Sequence, residues 1–233
     1  MIKAELISRS PVRVFEKSIR GGLGAGEIGV IASPSGIGKT SVLVQIAMDK
    51  LIQGKKVIHV SFSQHTDYVL AWYEDIFEEF TKKKNLVQPG EIKNELVKNR
   101  VLLNFSQDGV TGQQIVKSLK ALIVEGGFGA DSIIVDGFDF DKASRERMEA
   151  VKAGAGELGV SFWYSCNVKG PESYSKQGMP LVIKDFADLI DVVVVLEPQG
   201  DHIAFSARKD RGSANLEHLA LKLDPKTLLL LEE

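Results

Sequence analysis

Cysteine is almost absent from this chain: 233 residues contain one, Cys166. A lone thiol excludes an internal disulfide, and histidines scattered at His59, His65, His202 and His218 form no Cys/His set with zinc-ligand spacing. A dominant charge is lacking too. The 29 Lys and Arg against 31 Asp and Glu leave a net charge of −2, which excludes a global pull toward nucleic acid or a membrane surface while leaving a local basic patch open. No run of about 18 apolar residues occurs, so no membrane-spanning helix is expected. The opening MIKAELISRSPVRVFEKSIRGG carries charge from its third residue and has no apolar signal core, and the expected compartment is the cytoplasm. Internal repeats and low-complexity tracts are missing as well.

With 44% hydrophobic and 26% charged residues the composition is that of an ordinary globular protein, and the length suits one domain over 1–233. Apolar runs of strand type at 28–32, 57–62, 101–104, 133–136, 160–165 and 192–196 alternate with longer amphipathic stretches. Val42, Leu43, Ile46, Ala47 and Leu51 recur at helical spacing, as do Ile115, Leu119, Leu122 and Ile123. This alternation predicts an α/β fold, a mostly parallel twisted sheet flanked by helices. Residues 1–20 read as a lead-in, and 197–233, with strands at 203–207, 219–223 and 228–231, as antiparallel edge strands. Surface loops are expected at 82–90, which holds a Lys triplet, and at 168–180, rich in Gly, Pro, Ser and Lys.

The most informative stretch is Ser33-Pro34-Ser35-Gly36-Ile37-Gly38-Lys39-Thr40-Ser41, which follows an apolar strand and opens a helix. Successive backbone N–H groups of such a loop, with the positive end of the helix dipole, form a nest for a phosphate. Gly36 and Gly38 keep side chains out of it. Lys39 can span phosphate oxygens as a mobile charge, and the Thr40 hydroxyl can ligate Mg²⁺. The pattern G-x-x-x-x-G-K-[ST] is met except at its first position, where Ser33 stands. Downstream, Ser132-Ile133-Ile134-Val135-Asp136 is an apolar strand ending in a carboxylate, which can hold Mg²⁺ through a water opposite Thr40 or, in the plainer reading, cap a helix. Thr40 and Asp136 are thus the metal candidates.

The turn Gly21-Gly22-Leu23-Gly24-Ala25-Gly26-Glu27, followed by this strand and loop, resembles the RecA, KaiC and DnaB type of ATPase, and the Ser-Pro-Ser-Gly-Ile-Gly-Lys-Thr spelling resembles small RepA-type replication helicases. The resemblance implies a RecA-like P-loop NTPase fold, ATP or ADP with Mg²⁺ as ligands, and a ring- or filament-forming homo-oligomer. Arg208-Lys209-Asp210-Arg211-Gly212 is similar to the Lys-x-Arg segment with which such rings reach a neighbour's γ-phosphate, which would make Lys209 and Arg211 catalytic in trans. A basic turn between edge strands is the plainer reading.

One position departs from the family pattern. The strand after the first helix usually ends in a glutamate that polarises water; here that place falls on Ser63, with Gln64 beside it. Gln64 could position water by hydrogen bonds, His65 or Asp139 could supply a base, or hydrolysis could be slow or absent. Ser165 or Asn167, at the end of a core strand, would be the γ-phosphate sensor by the same resemblance. The function expected is therefore an ATP-binding RecA-like core with slow, partner-dependent or absent hydrolysis. Two alternatives stand beside it. One is a single-stranded nucleic-acid module using Lys169, Lys176 and Tyr174 on the 168–180 loop, facing Glu172. The other is an inactive nucleotide-gated interaction protein, for which the acidic, aromatic stretch 68–80 is either a partner surface or the packed face of a helix.

Overall fold

The computed structural model describes residues 6–62, 65–86, 89–213 and 217–233. Among them nine strands form one sheet in the order β3-β2-β4-β5-β1-β6-β7-β8-β9. These are β1 Ile28–Ser33, β2 Val57–Ser61, β3 Arg100–Asn104, β4 Ser132–Asp136, β5 Ser161–Asn167, β6 Val192–Gln199, β7 His202–Asp210, β8 Glu217–Leu223 and β9 Leu230–Glu232. Strands β3 to β6 along that order pair in parallel, and β6 to β9 pair antiparallel. The fold is thus mixed α/β with a mostly parallel sheet and antiparallel C-terminal strands, as the alternation of apolar runs implied.

Every residue of β1, β2 and β4 is buried, the signature of strands covered on both faces. Alternation within each strand then divides the core in two. Ile31, Val57, Ile134, Trp163 and Val194 face one layer; Val30, Ile58, Ile133, Phe162 and Val193 face the other. The first layer carries helices α1 (Pro11–Ser18), α2 (Lys39–Ile52), α3 (Thr66–Lys84) and α4 (Gly90–Lys98). On the second pack α5 (Gly112–Lys120) and α6 (Arg145–Leu158). Because the six parallel strands point the same way, the segments that follow β1, β4 and β5 leave from one edge, where open sheets hold ligands.

Two expectations change. The Lys triplet expected in a loop is the last turn of α3, where three ammonium groups face the negative end of the helix dipole, and Asn85 closes the helix at φ 48°. The helical stretch ending at Ile123 is α-helical only to Lys120 and continues as one π-helical turn, Ala121–Glu125, before a glycine pair. The stretch 68–80 follows the packed-helix reading on one face: Val69, Tyr73, Ile76 and Phe77 are buried, while Tyr68 remains 67% exposed.

Candidate functional site

The segment between β1 and α2 is a tight turn that only glycine fits at two places. Gly36 has φ 81° and Gly38 φ 112°, and a Cβ on Gly38 would lie 2.4 Å from Leu223 Cδ2. The loop therefore rests on the β8 strand, α2 starts with no side-chain cap, and Ser35, Gly36, Gly38, Lys39 and Thr40 line the cleft above it. Lys39 folds back over the loop. Its Nζ donates to Ser33 O at 3.0 Å, Ser33 Oγ at 3.3 Å and Pro34 O at 2.8 Å.

Thr40 Oγ1 donates to Asp136 Oδ2 at 2.8 Å, so the two candidates for metal ligation, 96 residues apart in sequence, meet across the carboxyl ends of β1 and β4. The other oxygen, Asp136 Oδ1, accepts from Gly137 N at 3.0 Å, which also donates to Ser165 Oγ at 2.9 Å. A cleft of about 280 Å³ lies over these groups, with Trp72 of α3, Asn167 at the end of β5 and Leu228 of the tail on its walls. A loop of donors, a cation and a carboxylate–hydroxyl pair together can take an oxyanion on one side and a hard cation on the other. Among the described residues no group of three or more His, Cys, Asp or Glu gathers to hold a metal ion.

Burial pulls Lys39 down to about 8 against a partial pull upward from the Asp136 carboxylate, and burial pushes the Cys166 thiol up to about 12. The ligand-free fold thus carries an ammonium it would rather lose. Since the unfolded chain keeps its proton to a higher pH, stability should rise as pH climbs from about 8 toward 10.5. Removing the charge should stabilise the protein at pH 7, by on the order of 2 kcal/mol once partial solvent access is allowed for. The two carbonyls Lys39 touches keep other donors, Val168 N to Ser33 O at 3.1 Å and Ser33 Oγ to Pro34 O at 3.0 Å. Thermal melts without ligand should therefore show Lys39→Met melting several degrees above wild type at pH 7, with the gap closing by pH 10. A destabilised Lys39→Met at pH 7 would refute this.

Other sequence candidates scatter. Ser41 turns away from the cleft, and its Oγ donates to Leu228 O at 2.5 Å. Ile37 packs against the core. Gln64 and Ser63 lie outside the described residues. Asp139 caps a short turn by accepting from Asp141 N at 3.0 Å, and exposed His65 pairs with Asp67 at 3.2 Å; neither lines the cleft. Lys209 and Arg211 sit at the far end of the sheet, since Lys209 pairs with Val193, itself beside Val30 near the start of β1. The Lys209 ammonium is spent on the Ala187 and Ile190 carbonyls, and burial lowers its pKa. Arg211 holds the 21–27 turn: it forks onto Glu27 at 2.8 and 2.7 Å and donates to Gly22 O at 2.7 Å and Ile19 O at 3.1 Å. On the 168–180 loop, Lys169 pairs with Asp141 at 2.7 Å, Lys176 is exposed, and Tyr174 packs on the core and bridges to Pro180 rather than standing free.

Sequence reasoning did not find Trp72, Leu228 or Leu223. Trp72 sits in a stretch where Tyr73 and Phe77 are core, and the two leucines reach the loop from nearly 200 residues downstream, with no local pattern to mark them. The 224–229 turn that brings Leu228 to the cleft is held by Asp224, which accepts from Lys226 N at 2.8 Å and Thr227 Oγ1 at 3.0 Å. No protein-family model matches this chain, and a search of characterised proteins finds no match to it.

Proposed function

We propose that this chain is a RecA-like P-loop protein that binds ATP with Mg²⁺ and hydrolyses it slowly, only with a partner, or not at all. The observation that carries the reading is the meeting of Thr40 with Asp136 at 2.8 Å beside a positive-φ glycine loop closed by Lys39. The residues fit the ligands. Lys39 is held only by oxygens of its own loop, so it can swing to β- and γ-phosphate oxygens without leaving a buried acceptor bare. Thr40 would hold Mg²⁺ through its hydroxyl and Asp136 would hold it through a water from the opposite side. When bound, the metal would neutralise phosphate charge.

The chain's own part is to bind and orient. The loop amides hold the phosphates at the head of α2, Trp72 closes the cleft on one side, and Ser165 keeps the Asp136–Gly137 corner in place. Among the described residues that line the cleft the carboxylate is Asp136, and it is engaged by Thr40 and Gly137. That supports slow or absent turnover.

Assembly into a ring or filament rests on the resemblance alone and draws little from the geometry, because Lys209 and Arg211 are committed to groups of their own chain. Likewise the nucleic-acid alternative loses its stacking platform with Tyr174 packed. Tryptophan fluorescence tests the central claim. Trp72 lies in the cleft whereas Trp163 is 3% exposed in the core, so Mg-ATP should change emission saturably and Trp72→Phe should abolish the change. Calorimetric binding of Mg-ATP with no response from Trp72 would place the ligand elsewhere.

A further inference from the structure

An apolar cavity of about 230 Å³ opens where α1, α2, the end of α3 and β9 meet, and it shares no residue with the Thr40–Asp136 cleft. Val12, Met48, Ile52, Ile76, Phe80 and Leu230 wall it. Met48 with Ile52 and Ile76 with Phe80 stand four residues apart, so α2 and α3 each turn an apolar row along its length.

The polar groups of the cavity divide by depth. Asp49 and Ser10 are 5% and 8% exposed, and the Asp49 carboxylate is already answered: Arg13 Nη2 donates to Oδ2, and so does Gln53 Nε2 at 2.6 Å. Gln45 is spent on Leu228 O at 2.9 Å and Leu230 N at 2.8 Å. Arg9, Lys83 and Glu232 are exposed and Lys84 is half-buried, so these four form the mouth. Lys82 in the same turn takes Glu79 at 2.8 Å and Glu78 at 4.0 Å, whereas neither Lys83 nor Lys84 pairs with a carboxylate among the described residues. Lys84 Nζ reaches only as far as Arg9 O, at 3.5 Å.

An apolar slot with three cations and one anion at its mouth, and a buried carboxylate inside, fits one polarity of ligand: chain inward, anion outward. We infer that the cavity binds a single-chain alkyl carboxylate of medium length, with its chain along Met48, Ile52, Ile76 and Phe80 and its carboxylate met by Lys83 and Lys84. Volume sets the length. A dry cavity of about 150 Å³ takes the six carbons of benzene, and at that density this one takes about nine. Asp49 excludes the inverted pose, since a second carboxylate beside it would be buried without a cation of its own. The site is independent of the nucleotide reading, whose residues it does not use.

The full chain is titrated with sodium hexanoate, octanoate and decanoate, followed by calorimetry and by ¹³C-methyl NMR at Met48, Ile76 and Leu230. One saturable site is expected, with affinity rising about fourfold per methylene up to octanoate and levelling by decanoate. Octanol should bind about fivefold or more weaker than octanoate, and octylammonium weaker still. Replacing both lysines, Lys83→Ala with Lys84→Ala, should bring octanoate down to the affinity of octanol and leave octanol unchanged. Val12→Phe, which fills the cavity from α1, should block all three acids without lowering the melting temperature. The same shifts are expected in Lys39→Ala, which separates them from the first cleft. Absence of a saturable methyl shift before octanoate forms micelles, equal binding of octanol and octanoate, or preference for octylammonium would each overturn the inference. Movement of the same methyls on dilution without ligand would do so too, by making this face an interface between copies of the chain.

Discussion

Lys39→Ala should weaken Mg-ATP binding by about a hundredfold while leaving the unliganded protein folded and at least as stable as wild type. The magnitude follows from charge. Two hydrogen bonds from an ammonium to phosphate oxygens contribute about 1.5–3 kcal/mol each, of which roughly 3 kcal/mol survives the cost of releasing the loop carbonyls, and each 1.4 kcal/mol is about tenfold in affinity. The opposite sign for stability follows from its burial, which pulls Lys39 down to about 8. Calorimetry with Mg-ATP measures the first effect and ligand-free thermal melts the second. Both matter together: a variant that merely unfolds loses binding and stability alike, whereas one that loses only a phosphate ligand does not. Affinity within threefold of wild type in a folded Lys39→Ala would end the proposal that the glycine loop receives the triphosphate.

The second large effect concerns turnover. If the carboxylate normally following the second strand has been replaced by Ser63, Ser63→Glu should raise the single-turnover rate of ATP cleavage by about 10²–10⁴-fold, the usual contribution of a general base. Ser61, the last residue of β2, lies in register beside Asp136, so the described part of that strand ends next to the Thr40–Asp136 pair. Gln64→Glu serves as the one-residue offset, and phosphate release is the readout. An unmodified chain that already turns over at the ordinary enzyme median of about 10 s⁻¹, or a Ser63→Glu variant that binds Mg-ATP normally and gains nothing, would remove the account of slow hydrolysis.

The parts of this site legible in the sequence are those whose atoms are neighbours in the chain. Loop amides, Gly36, Gly38, Lys39 and Thr40 occupy one turn, so their spelling carries their geometry. Asp136 was legible for a different reason. A buried strand that ends in a carboxylate is common, often as a helix cap, and gains meaning only beside a loop of this kind, while the 2.8 Å contact with Thr40 is a property of the sheet order, in which β5 separates β1 from β4. Arg211 shows the converse. Its basic segment resembled a finger reaching out to a neighbour, and tertiary structure turns it inward onto Glu27, where a bidentate pair and two carbonyls use its donors.

Helix α6 was missed because its stretch is polar and holds Gly154 and Gly156, which weaken a helical reading; Gly154 is required by packing, as a Cβ there would lie 2.6 Å from Val116. Residue periodicity and local turn chemistry by themselves determined the mostly parallel core, the antiparallel tail and the tight glycine loop between β1 and α2, because each depends on atoms a few residues apart. Only tertiary structure decided that Leu223 props the loop, that Trp72 and Leu228 wall the cleft, and that Arg147 lies against Phe62 and Phe138. Those contacts join segments from 9 to nearly 190 residues apart, and at such separations the closing geometry is set by how helices stack on the sheet rather than by any run of side chains.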